Sequence, residues 1–191
     1  MKKLLWGLFS VFLCLVFISP AGAMVWELGV GGNGHDYVVV GFEDIAWGDT
    51  WGDIYNLLGD GYGLATITSQ AEQDFVESLL AGYSGEYWIG GFQNPGEADP
   101  EAGWNWVTGT EDWHYTNWAS DEPNDYNGID EMHLALWDKY EANSWKWNDE
   151  HNRFNIAGYI AESLPVPEPG TIVLMGLALV GLAGMGRKRF R

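Results

Sequence analysis

The chain has 191 residues, 27 acidic against nine basic, for a formal charge of −18. Phosphate binding needs a basic patch, so this balance excludes nucleic acid as a partner. Of the basic residues only Lys139, Lys146 and Arg153 fall between positions 24 and 164; that acidic stretch repels itself, and bound divalent cations would relieve the repulsion locally.

The N-terminus reads as a secretory signal. Lys2 and Lys3 precede an apolar run over 4–18, and Ala21-Gly22-Ala23 is a small-residue cleavage site, with cleavage expected after Ala23. The run is short for a membrane span. Residues 24–164 then form one domain, long enough for a single core. The only cysteine, Cys14, lies in the leader, so the exported domain has no disulfide and must be held by its core, by metal, or by both.

Along this domain, Tyr37-Val38-Val39-Val40 predicts a strand. Ile45 to Leu58 has apolar residues at helical spacing, interrupted by Gly48 and Gly52. Leu64-Ala65-Thr66-Ile67 predicts a short strand. Ser69 and Glu72 make a capping box before a helix that buries Phe75, Val76, Leu79 and Leu80. Tyr87-Trp88-Ile89-Gly90-Gly91 reads as a buried strand. Trp104-Asn105-Trp106 alternates with Asn105 outward, and an acidic loop spans 119–130. Glu131 to Trp137 reads as a strand, 139–144 as a loop, Trp145-Lys146-Trp147 as a strand, and Ile156 to Ala161 as the closing strand. Helices early and strands late indicate an α+β domain.

Pro165-Val166-Pro167-Glu168-Pro169-Gly170 breaks regular structure. An apolar run over 171–186 and Arg187-Lys188-Arg189-Phe190-Arg191 follow. Basic residues behind an apolar run stay cytoplasmic, which turns the domain outward. This three-part tail resembles the PEP-CTERM sorting signal of Gram-negative bacteria that make exopolysaccharide. The resemblance implies processing by an exosortase at Pro167, Glu168 and Pro169 after transient membrane insertion through 171–186. It also implies a final place at the cell surface, in the extracellular matrix or in the medium. A plain C-terminal membrane anchor is the alternative.

Glu122-Pro123-Asn124 and Trp147-Asn148-Asp149, with Asp130 and Glu131 between them, gather hard oxygen donors. Such donors suit Ca²⁺, which takes six to eight oxygen ligands. Open coordination positions would admit two vicinal sugar hydroxyls. An amide can give its oxygen to a metal and its NH₂ to a hydroxyl. Each tripeptide alone is a weak signal, and their order with acids between them strengthens it.

Leu64-Ala65-Thr66-Ile67, Trp88-Ile89-Gly90-Gly91, Trp104-Asn105-Trp106, Tyr115-Thr116-Asn117-Trp118, Glu122-Pro123-Asn124, Trp147-Asn148-Asp149 and Gly158-Tyr159-Ile160 occur in the order of a C-type lectin-like domain, and the chain resembles that family over nearly all of 24–164. The resemblance implies the C-type lectin-like fold: two helices packed on short antiparallel strands with a long irregular loop region. It implies a Ca²⁺ held by Glu122, Asn124, Asn148 and Asp149, with Asp130 or Glu131 as the fifth ligand. Counting forward from Glu122 favours Asp130; counting back from Leu134-Ala135-Leu136 favours Glu131. Asp125 is the candidate for a second Ca²⁺. A cis bond before Pro123 and a preference for mannose-type sugars, rather than galactose, are further implications.

Trp118 and Tyr126 are the aromatic candidates for contact with sugar, and the other tryptophans read as core. His133 beside Asp130 and Glu131 suggests zinc, but no second histidine stands at ligand spacing, so a structural role is preferred. Paired carboxylates also suit a glycosidase. These acids sit in a polar, Asn-rich loop better suited to a metal, and no G-x-S-x-G motif is present. The expected function is therefore sugar binding without catalysis. The alternative is a structural or protein-binding domain of the same fold.

Overall fold

The computed structural model describes residues 22–141, 144–151 and 154–164. Residues 1–21 of the expected leader (1–23) and the tail bearing Pro167, Glu168 and Pro169 lie outside them. Among the described residues no helix is long and apolar enough to cross a membrane.

The elements in chain order are β1 (Met24–Val25), β2 (Asp36–Gly41), α1 (Thr50–Leu58), β3 (Tyr62–Leu64), α2 (Gln70–Leu79), β4 (Glu86–Gln93), β5 (Trp104–Trp106), β6 (His133–Glu141), β7 (Ser144–Glu150) and β8 (Ile156–Ser163). They build one sheet in the order β1-β2-β8-β4-β6-β7, with β3 paired to β8 and β5 to β4. All pairings are antiparallel except β4 with β8. Of the stretch expected to be a loop over 139–144, residues 139–141 instead continue β6 and Ser144 begins β7.

Successive side chains on a strand point to opposite faces, and both faces of the central strands are buried. Tyr87, Ile89, Leu134, Leu136 and Ile160 join one core with Val76 and Leu80 from the α2 segment. Trp88, Ala135, Tyr159 and Ala161 join the other with Ile54 of α1. Gly158 permits close approach of β2, because a Cβ there would lie 1.9 Å from the Val40 carbonyl oxygen.

The α2 cap is as expected on one side only. Ser69 Oγ accepts the Glu72 N–H at 3.2 Å. The Glu72 carboxylate takes the Thr68 N–H, at 2.7 Å, and the Tyr37 hydroxyl. Tyr37 also donates to Glu162 at 2.9 Å. Asn33 donates to both acids, and His35 pairs with Glu162. This polar network ties β2, α2 and β8 together at a point where sequence periodicity gives no hint of contact.

Trp147 anchors the long loop. It is fully buried, and the rings of Trp106, Trp113, Tyr115 and Trp118 pack around it with centroids 5.5–5.7 Å away. Its N–H donates to the Asn117 carbonyl, and its own carbonyl accepts the Ala119 N–H, each at 2.9 Å. These bonds set residues 120–131 over the end of β7.

Candidate functional site

The loop after Ala119 bends through residues that tolerate left-handed backbone. Asp121, Asp125 and Asn127 have φ of 70°, 46° and 59°. Short polar side chains adopt this region more readily than others. The Glu122–Pro123 bond is cis. The resulting curl aims two backbone N–H groups at β7: Asn124 N donates to both Asp149 carboxylate oxygens, at 3.0 and 3.1 Å, and Asp125 N to Oδ2 at 3.0 Å. Asp125 then closes the loop on itself, its Oδ1 accepting the Glu131 N–H at 3.0 Å.

Glu122, Asn124, Glu131, Asn148 and Asp149 line one cavity of about 500 Å³. They arrive from three places: the curl, the approach to β6, and the end of β7. Asn148 and Asp149 are buried because β7 is covered by the loop, and Glu131 is buried at the foot of β6. Asp130 is exposed and is absent from the cavity wall. Of the two candidate acids, Glu131 is therefore the one at the cavity.

Burial dominates the electrostatics. It raises the Asp149 carboxyl above its ordinary range, against the pull of the Asp125 N–H, the Glu122 side chain and the Asn124 N–H. It raises Glu131, against the opposing His151 and Tyr126 N–H bonds. Glu122 and Glu131 line the same cavity as buried Asp149, and like charges gathered in one site ionise together more readily with a cation among them. The donor set therefore fits a hard, oxygen-seeking cation.

The two aromatic candidates part company. Tyr126 lines the cavity with 65% of its surface exposed. Trp118 does not line it. Its partly buried ring packs against the core on Trp104 at 4.9 Å and on Trp147. The reason is the short bridge between Trp118 and Trp147, which turns the side chain inward. His133 is stacked on Trp47 at 4.5 Å, and burial pushes its imidazole down to about 4; that neutral, stacked ring is structural.

Three further residues adjoin these donors, and the sequence motifs did not single them out. Glu86, at the head of β4, is fully buried and accepts the Asn148 side-chain amide at 2.8 Å. Burial pushes its carboxyl up to about 8. Glu150 and His151 line the same cavity, and His151 Nδ1 lies 2.9 Å from Glu131 Oε1. An acid opening an otherwise apolar strand was the available clue for Glu86. For His151 the clue was its place two residues after Asp149.

The Lectin C-type domain family profile matches residues 60–155, and the PEP-CTERM protein-sorting motif matches 165–189. Ladderlectin of Oncorhynchus mykiss is 33% identical over 92 residues, 47% of this chain and 44% of its own length. C-type mannose receptor 2 of Mus musculus is 33% identical over 79 residues, 41% of this chain and 5% of the receptor. The chain thus spans less than half the length of either relative. Among solved structures, the cow C-type carbohydrate-recognition domain of CD23, determined in the presence of a GlcNAc2Man3 oligosaccharide, superposes with a TM-score of 0.58 at 22% identity, covering 78% of this chain and 98% of that one. C-type lectin CEL-I from Cucumaria echinata gives 0.54 at 22% identity, over 68% and 90%. These structural likenesses establish the fold.

Proposed function

Because the chain belongs to the C-type lectin domain family, we propose that it is an exported, calcium-dependent sugar-binding protein. The observation that carries this reading is the convergence of Glu122, Asn124, Glu131, Asn148 and Asp149 on one cavity. Those five would hold Ca²⁺, which when bound offers open coordination positions to two vicinal hydroxyls. Glu122 and Asn124 would accept from and donate to the same hydroxyls. Tyr126, exposed at the rim, would cover one sugar face. The Glu122-Pro123-Asn124 tripeptide supports mannose-type sugars, and cell-surface glycan or exopolysaccharide is the natural source.

The matched sorting motif supports passage through the inner membrane. The reading is cleavage after Ala23, insertion of 171–186, and exosortase processing at Pro167-Glu168-Pro169, leaving 24–164 outside the cell. Family membership and the polar loop support binding rather than turnover.

One observation favours a second reading, a protein-binding domain without sugar. The Asn124 and Asp125 N–H groups bond the Asp149 carboxylate, protein contacts that would hold the loop in shape for a protein partner. The deciding experiment is glycan-array binding with and without EDTA, using Asp149→Asn as control. Calcium-dependent binding of mannose-type glycans, lost in the variant, supports the lectin. A calcium-induced melting shift with no glycan binding supports the second reading.

A further inference from the structure

We propose that Glu131, Glu150 and His151 form a second cation site, for a divalent first-row transition ion of the zinc type. His151 Nδ1 lies 2.9 Å from Glu131 Oε1 and 3.4 Å from Glu150 Oε1, and the three ligand atoms all fall within 4.8 Å of one another. Zinc bonds nitrogen and carboxylate oxygen at roughly 2.0–2.2 Å in a tetrahedron, which sets neighbouring ligand atoms about 3.3–3.5 Å apart. The group needs only small adjustments to meet that spacing.

The ligand types separate this site from the oxygen set beside it. Calcium takes oxygen ligands, whereas imidazole suits zinc, copper, iron and nickel. The two carboxylates are buried, with 5% and 7% of their surface exposed. The His151 side chain is about one-third exposed, yet its Nδ1 turns inward to the acids. The His151 N–H donates to Glu150 Oε1 at 2.9 Å, which fixes that carboxylate beside the ring. The adjoining cavity of about 500 Å³ gives an entry path and room for water as a fourth ligand. Behind the group, Glu86 is fully buried and keeps Oε2 without a hydrogen-bond partner.

Glu131 belongs to both sets, so the two cations are coupled. Zinc at His151 draws on a Glu131 oxygen that calcium also uses, and each ion should weaken the other. The coupling rests on the calcium reading; the zinc site itself does not.

The test uses the tag-free exported protein, stripped with EDTA and titrated calorimetrically with Zn²⁺, and spectroscopically with Co²⁺ as a coloured probe. His151→Ala and Glu150→Gln both lie outside the calcium set. Wild type should bind one Zn²⁺, and each variant should bind at least ten-fold more weakly. Each variant should lose far more affinity for Zn²⁺ than for Ca²⁺, because Glu150 and His151 only adjoin the calcium ligands, and saturating Ca²⁺ should weaken Zn²⁺ binding to wild type. The visible Co²⁺ band should vanish in His151→Ala. Absent zinc binding, or zinc affinity unchanged in both variants, would overturn the proposal. Equal loss of calcium and zinc in the variants would also overturn it, by placing both ions in the oxygen set. Zinc binding through His151 in a protein that ignores calcium would uphold this site and refute the calcium reading.

Discussion

Asn148 donates its side-chain amide to Glu86 at 2.8 Å, and both side chains are buried. This bond spends one N–H on the interior and fixes which end of the amide faces the cavity: the carbonyl oxygen is left for a cation. Partners behind a metal ligand typically tune affinity by about 10–100-fold. Glu86→Ala should therefore weaken calcium binding by about that factor. Glu86→Gln, whose carbonyl oxygen can still accept, should stay within a few-fold of wild type. Isothermal titration of the two variants checks this. Equal affinities in Glu86→Ala and wild type would show that Asn148 needs no support.

Asp149 joins the loop to β7 through the N–H groups of Asn124 and Asp125. Hydrogen bonds to a charged group are worth about 1.5–3 kcal/mol. Asp149→Asn should lower stability on that scale and abolish most of the calcium-induced rise in melting temperature, which follows from binding to the native state alone. Melting curves with calcium and with EDTA measure both effects. A variant that keeps the full calcium shift would remove Asp149 from the site.

Tyr126 and Trp118 should fail in different ways. Tyr126 is exposed at the cavity rim, so Tyr126→Ala should reduce sugar affinity several-fold and change stability by less than about 0.5 kcal/mol. Trp118 packs on Trp104, Trp113 and Trp147. Its truncation should cost about 3 kcal/mol, seen in denaturant unfolding, with binding lost only as folding is lost. The reverse pattern would mean that the ring roles are exchanged.

Acidity should act on the calcium-free protein in an unusual direction. Burial raises Glu86 to about 8, and raises Glu131 and Asp149 as well. Between the ordinary carboxylate range and these raised values the folded chain holds more protons than the unfolded one. Stability contributed by these groups is therefore full at low pH and lost as pH rises. For Glu86 the window runs from 4.5 to about 8. Calcium favours the ionised acids, so the stabilisation it gives should grow across the same window. Glu86→Gln should flatten the calcium-free decline. Melting temperatures taken through this range with EDTA and with calcium would expose an opposite slope.

Much of the fold was legible because alternation on β4, β6 and β8 survives burial on both faces: Tyr87, Trp88 and Ile89 go to opposite cores in turn, as do Leu134, Ala135 and Leu136. The Ser69 cap was legible because its partner is three residues away. The cavity was only partly so. Motif order named Glu122, Asn124, Asn148 and Asp149, and counting back from Leu134-Ala135-Leu136 pointed to Glu131 while counting forward from Glu122 pointed to Asp130; only the fold buries Glu131 and leaves Asp130 exposed. Glu86 lies 62 positions from Asn148 and meets it only because β6 lies between β4 and β7. Trp118 was a candidate for contact with sugar, and the bridge that sets it against Trp147 is a backbone feature.

The union of β2, α2 and β8 rests on a hydroxyl, an amide, an imidazole and two carboxylates, a set that responds to protons and is indifferent to electrons. Thiol reductants should leave the melting curve of a 24–164 domain unchanged, because it holds no cysteine, and such a domain can fold without a disulfide-forming catalyst. Alkali is the stress this latch should feel. The hydrogen bond to Glu162 outweighs burial in raising the His35 ring above its ordinary value, and the stability this pairing adds is complete below that ordinary value. It drains away as pH climbs through the raised one.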